Sequence, residues 1–409
     1  MKRFFYLIAA ASMLLSSCLK NNVTRKYTIY TPIYETKGEV YAKIKMNPAQ
    51  SMKNLGSFAL YNNYVFVNEK EKGIHVIDAS SSITPVIKGF IPIPGNLGIA
   101  VRNNVLLADC FTDLLSIDIK DIAQINLLNK NENLFTSRAN MYGFQDGGKI
   151  LVGWSKKDTV MNEEFDMGRN LVFMSESTAE MQFDNSSSGN SNSTSSSMAI
   201  FTLVNNYMYA VDQSKLYALD VSIPSIPTLK STTTINWNVE TIFPFKDNLF
   251  IGTRTGMYIF SIQSPSQPTY LGQFDHANVC DPVIADNTHA FVTLRSGTTC
   301  NGFTNQLDIL DISNMSSPTL VKTYPMHNPH GLSKDGKLLF ICDGDAGLKL
   351  FDASNLNALN LKQSYPIFGK AIDIIASQGK AILITDKATI FLTYDTNFNV
   401  NLIGQLSKS

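Results

Sequence analysis

Ile74-His75-Val76-Ile77-Asp78 is a short apolar run that ends on aspartate, and it recurs along the chain. Further copies are Leu114-Leu115-Ser116-Ile117-Asp118, Leu216-Tyr217-Ala218-Leu219-Asp220 and Leu307-Asp308-Ile309-Leu310-Asp311. Leu348-Lys349-Leu350-Phe351-Asp352 and Ile390 to Asp395 extend the series. Each run is the length of a strand, and its terminal aspartate can accept amide hydrogens of the turn that follows. Upstream of each lies a polar turn and another strand, as in Asn62-Asn63-Tyr64-Val65-Phe66-Val67 and Asn205-Asn206-Tyr207-Met208-Tyr209-Ala210. Downstream comes a looser strand, such as Val86 to Ile93, Leu229 to Ile235 or Leu320 to Tyr324. A unit of about forty residues with four antiparallel strands is the blade of a β-propeller. Helical periodicity is nearly absent, so the fold class is all-β and a single propeller.

Counting Gln145 to Val152 as the opening of a unit, eight repeats predict eight blades, with seven as the fallback if the irregular third unit is an insertion. Lys37 to Met46 reads as an extra strand that could close the ring beside the last blade. Asp184 to Ser197 is a Ser/Asn run without apolar anchors and is expected to be a flexible loop.

Residues 1–17 carry Lys2 and Arg3 ahead of an apolar stretch from Phe4 to Leu15, too short to span a bilayer with polar flanks. The stretch closes on Leu15-Ser16-Ser17-Cys18, which resembles the lipobox of bacterial lipoproteins. That resemblance implies cleavage before Cys18, diacylglycerol and palmitate attachment there, and a lipidated tether over 18–36 leading to a propeller over 37–409. The 409 residues hold 34 basic and 34 acidic side chains. Removing Lys2 and Arg3 leaves 32 against 34, which gives no electrostatic pull toward nucleic acid.

A second resemblance covers most of the remainder. Phe66-Val67-Asn68-Glu69 leading to Gly73-Ile74-His75-Val76-Ile77-Asp78, then Ile91-Pro92-Ile93-Pro94-Gly95, is similar to the LVIVD-repeat family of bacterial propeller lipoproteins. So are Leu107-Ala108-Asp109, Cys280-Asp281-Pro282-Val283, Val292-Thr293-Leu294-Arg295, Pro329-His330-Gly331-Leu332 and Ile341-Cys342-Asp343-Gly344. The resemblance implies a cell-envelope protein of the outer membrane, facing either the periplasm or the cell surface. It brings no catalytic residues with it.

In a propeller, the start of the inner strand and the turn between the second and third strands share one face. Unusual polar residues gather at those positions: Glu69, Asp109, Asp281, Arg295, His330, Asp343 and Asp345. Several carboxylates around a mouth could hold calcium or another divalent cation, although acidic residues in Gly-rich turns also accept backbone hydrogen bonds. His330 could bind metal or shuttle protons, or simply occupy a turn. Cys280 and Cys300 fall in one repeat, where a disulfide would pin the long turn; Cys110 and Cys342 read as free or buried. No G-x-S-x-G, Walker or H-E-x-x-H motif occurs. The expected function is a membrane-anchored binding or scaffold module for a protein or carbohydrate ligand. The alternative is an exported lyase or hydrolase acting on a polysaccharide or small metabolite, with a cation at the propeller mouth.

Overall fold

The computed structural model describes residues 23–81, 83–140, 149–163, 194–275, 282–296 and 305–407. Two compact units divide them, the smaller from residues before 35 and from 151 onward in the third repeat region, the larger from the rest. In the smaller unit, the segment expected to be a tether is instead a strand. Val23–Thr36 pairs with Lys149–Glu163 in a two-stranded sheet, with Thr28 Oγ1 donating to Asp158 Oδ1 at 2.8 Å. Tyr27, Ile29, Thr31 and Ile33 explain the correction, because alternating aromatic and β-branched residues favour extended backbone. The inner strand expected at 145–152 falls partly outside the described residues. From Lys149 onward it belongs to this ribbon.

The larger unit is all-β, built from antiparallel sheets whose strands follow one another in sequence. The first orders Thr194–Ser195, Leu55–Tyr61, Tyr64–Glu69, Gly73–Asp78 and Val86–Pro92. The second orders Ile99–Arg102, Val105–Cys110, Asp113–Asp118 and Asn126–Asn131. A six-stranded sheet follows with Phe201–Val204, Tyr207–Asp220, Thr228–Phe245, Asn248–Thr253, Gly256–Ser261 and Thr269–Asp275. Three more four-stranded sheets start at Val283–Ala285, Leu332–Asp335 and Ala371–Ser377, the last ending with Val400–Ser407.

The turn chemistry read from the sequence is present. Asp78, Asp118, Asp220, Asp311, Asp352 and Asp395 each accept a backbone N–H two residues on, at 2.8–3.0 Å. Hydrogen bonds from Ser80 and Ser222 hold Asp78 and Asp220 below the usual carboxylate range. Asn62, Asn103, Asn104 and Asn205 sit at φ between 48 and 60°, the left-handed region that a two-residue hairpin requires and asparagine tolerates.

Sheet-to-sheet packing forms a closed cycle. Leu107 of the second sheet shares a core with Phe201 and Leu249 of the six-stranded sheet. Phe250 packs with Val292, Ile309 with Ile341, and Phe340 with Ile390. Ile384 and Phe391 of the last sheet then join Phe58 and Val67 of the first. Ser57 and Asn68 bond across to Leu97 and Asn96 to complete the circuit. Lys37–Ala42, expected as the closing strand, is a one-and-a-half-turn helix instead. Thr36 and Glu39 form its capping box, satisfying orphan amides that a strand would have paired. Lys37 and Tyr41 dock it on the fully buried Asp113.

Candidate functional site

The first strands of successive sheets lie against one another and surround an axis. One segment crosses it. Thr194 and Ser195 pair with Leu60 and Ala59, and Ser196 N donates to Phe58 O at 2.9 Å. Ser197 Oγ then reaches the inner strands of the last two sheets, 2.8 Å from Asp373 Oδ1, and accepts Leu332 N at 2.8 Å. Ser195, Ser196 and Ser197 are all buried. The expectation of a flexible loop over 184–197 is therefore corrected at its end; residues 184–193 lie outside the described residues. Two hydroxyls here substitute for apolar anchors: Ser196 Oγ accepts Phe58 N at 3.2 Å, and Ser197 Oγ bonds Asp373 and the Leu332 amide.

Asp373 is fully buried on the inner strand of the last sheet. Burial pushes its carboxyl up to about 7, against hydrogen bonds from Ser196, Ser197 and the Ile374 and Met198 amides, which pull the other way. Gly331 passes beside it so closely that a Cβ there would stand 2.0 Å from Asp373 Oδ1 and 2.8 Å from Ser197 Oγ. Only glycine leaves room for both.

Beyond this crossing, toward the ends of the inner strands, a cavity of about 340 Å³ opens. Ser195 contributes to its interior, and Pro244, Ile284, Leu332, Ile374 and Ala376 supply apolar wall. Lys246, Lys334, Asp335 and Ser377 also line it. The cavity is thus a cup at the opposite end of the inner strands from the face chosen by sequence. Its volume falls in the range of small-molecule sites.

The residues predicted for the other face have structural partners. Asp109 is fully buried; its Oδ1 accepts Asn96 Nδ2, Leu97 N and Gly98 N at 2.7–2.9 Å, and its Oδ2 meets Arg138 Nη1. Arg138, on the short helix Thr136–Asn140, also holds Asp212 at 2.9 Å and stacks 4.6 Å from Phe135. Glu69 bonds His75 at 2.7 Å; burial raises its pKa, but the hydrogen bond and charge of His75 outweigh this and leave it lowered. Asp343 is buried against Lys349 and accepts the His327 and Asn328 amides. Asp345 is exposed and pairs with Lys370 at 3.3 Å. Arg295 Nη1 lies 3.5 Å from His330 Nε2. Asp281, Cys280, Cys300 and Cys18 lie outside the described residues.

These carboxylates do not converge. Among the described residues, no group of three His, Cys, Asp or Glu is placed to hold a metal ion. Cys110 and Cys342 are buried free thiols, and burial pushes both well above the ordinary thiol range. Sequence reasoning missed Ser195, Ser197 and Asp373. The one available signal was Asp373, an acidic residue between Ile372 and Ile374 with no turn beside it.

Antiparallel four-stranded sheets arranged in this order define a propeller-like protein. Four of its segments, residues 55–91, 202–234, 301–325 and 331–366, match the model of the LVIVD repeat, so the chain carries LVIVD repeats. No curated protein matches it. Among solved structures it is similar to a protein from Lactobacillus plantarum, at TM-score 0.54 and 11% identity, over 87% of this chain and 96% of that one. It is also similar to the computationally designed Ika8 protein, at TM-score 0.49 and 9% identity, over 89% and 90%. The first likeness is one of fold alone.

Proposed function

We propose that the chain is a lipid-anchored, exported binding module of the LVIVD-repeat lipoproteins, with seven blades and a ligand site in the cup. Seven follows from treating the six-stranded sheet as two blades that share long strands. Tyr207–Asp220 and Thr228–Phe245 each break register, at Gln213/Lys215 and at Val239/Thr241, where one blade passes into the next. Anchoring rests on Leu15-Ser16-Ser17-Cys18 behind a basic, then apolar, leader. Two acyl chains or more would make attachment stable.

The observation that carries the binding reading is the cup itself. Five inner strands supply its lining, and the Thr194–Ser197 crossing limits its depth. A rigid ring holds such walls in place before any ligand arrives, which reduces the ordering cost of binding. Ala376, buried in the wall, is the place to test it. Full-length protein released from its own membrane in mild detergent should carry a small molecule by native mass spectrometry, and Ala376→Trp should lose it. Equal retention by both proteins would refute the cup as the site. In the same cells, Cys18→Ala should abolish palmitate labelling and move the protein out of the membrane fraction.

A further inference from the structure

Lys246, Lys334 and Asp335 are the charged side chains that line the cup, and two of them are engaged. Lys334 Nζ lies 2.8 Å from Asp286, and Asp335 Oδ2 accepts Tyr394 OH at 2.5 Å. Lys246 is exposed at the rim, its ammonium 5.5 Å from the centre of the Phe245 ring. Among the described residues no carboxylate pairs with it. The backbone gives a second reason to single it out. Lys246 opens the two-residue turn between Phe245 and Asn248 at φ 52°, in the left-handed region. The matching turns carry Asn62, Asn103 and Asn205 there at φ 48–52°, and Gly336 at 58°. Asparagine and glycine adopt that backbone readily and lysine does not, so the turn gives up a favoured residue to hold this cation. Gln378 is another exception, in the turn that follows Ser377 of the cup lining. Backbone strain of this kind collects where side chains serve a site.

We infer that the cup selects a small hydroxylated carboxylate, of the class of a sugar acid, whose carboxylate pairs with Lys246. The inference rests on the cup being a ligand site and adds the chemical class of its occupant. The exposed Ser377 hydroxyl and Asp335 Oδ1, which Tyr394 leaves open, supply partners for ligand hydroxyls. Pro244 and Phe245 face the carbon skeleton between them. A wholly apolar occupant is disfavoured, because it would strip water from these charged groups and return no hydrogen bond. An ammonium-bearing occupant meets Lys246 as a like charge. A cavity of about 340 Å³ stands at the small end of ligand sites and suits a single sugar ring.

Three probes share one ring and differ in charge: glucuronate, glucose and protonated glucosamine. Each is titrated against the full-length protein in mild detergent at low salt and followed by ligand-observed NMR. Glucuronate should bind about fivefold more tightly than glucose, the upper value of one exposed ion pair, and glucosamine should bind most weakly. Salt at about 0.5 M should remove most of that preference. Lys246→Asn installs the residue that the matching turns use, so the midpoint of thermal unfolding should hold or rise. It should bring glucuronate down to the level of glucose and leave glucose binding unchanged. Equal binding of glucuronate and glucose by the parent, or a preference that survives Lys246→Asn, overturns the inference. The cup then stands as a site if Ala376→Trp abolishes the binding that was seen. Failure of all three probes to bind also overturns the inference, and the cup falls with it only if the protein from its own membrane carries nothing in native mass spectrometry.

Discussion

Arg138→Met is expected to lower the unfolding free energy by about 3–5 kcal/mol, read from urea denaturation at pH 7. The guanidinium is 2% exposed and lies between two buried carboxylates, Asp109 and Asp212, which belong to neighbouring parts of the ring. Its removal leaves both charges in a site from which water is excluded. Neither can recover its hydration without opening the contact between the second sheet and the strand Tyr207–Asp220. The short helix Thr136–Asn140 loses its attachment as well, since Ser137 donates to the same Asp212 carboxylate. The charges, not the shape, set this cost. Arg138→Met combined with Asp109→Leu and Asp212→Leu should therefore regain much of the loss, because an apolar set of similar volume needs no desolvated partner. A loss below about 1 kcal/mol for Arg138→Met alone would mean that water reaches the network.

Asp373→Asn should change how stability depends on pH. In the folded chain this carboxyl is raised from 3.8 to about 7, because the crossing segment and the inner strands exclude water from it. A group raised on folding binds its proton more tightly in the native state. Its stabilising contribution is then fully present below pH 4 and is lost as pH rises through about 7. A shift of roughly three units corresponds to about 4 kcal/mol. The measurement is the stability of parent minus variant at pH 4 and at pH 8, which cancels carboxylates common to both. The parent should lose about 4 kcal/mol relative to Asp373→Asn over that window. A flat difference would show that Asp373 is hydrated and that Thr194–Ser197 does not seal it.

The repeat was legible because its cues are local. An aspartate that ends a strand captures the next amides, and a paired asparagine turn accepts positive φ, wherever the unit occurs. The short helix was legible in principle, since Thr36 and Glu39 have capping-box spacing, but its few residues carry no helical period to compete with alternation. The crossing segment was hidden for a different reason. Ser195-Ser196-Ser197 has the composition of solvated chain, and the Ser196 and Ser197 hydroxyls acquire fixed roles only from Phe58, Leu332 and Asp373, which are distant in sequence. The same holds for Arg138, whose partners lie 29 and 74 residues away. Glu69, Asp109 and Asp343 stood out as ionisable residues near turns. Their neighbours, His75, Arg138 and Lys349, which give each of them an ion-pair partner within the ring, could not be read from the local sequence.

Every inference about crossing and cup depends on the last sheet packing against the first. Met52 and Phe391 share one core, although more than three hundred residues separate them. A double-mutant cycle between Met52→Ala and Phe391→Leu measures that contact through its coupling energy. A closed ring predicts coupling of about 0.5 kcal/mol or more between the two sites. Simple additivity, within about 0.3 kcal/mol, would place them apart and contradict closure.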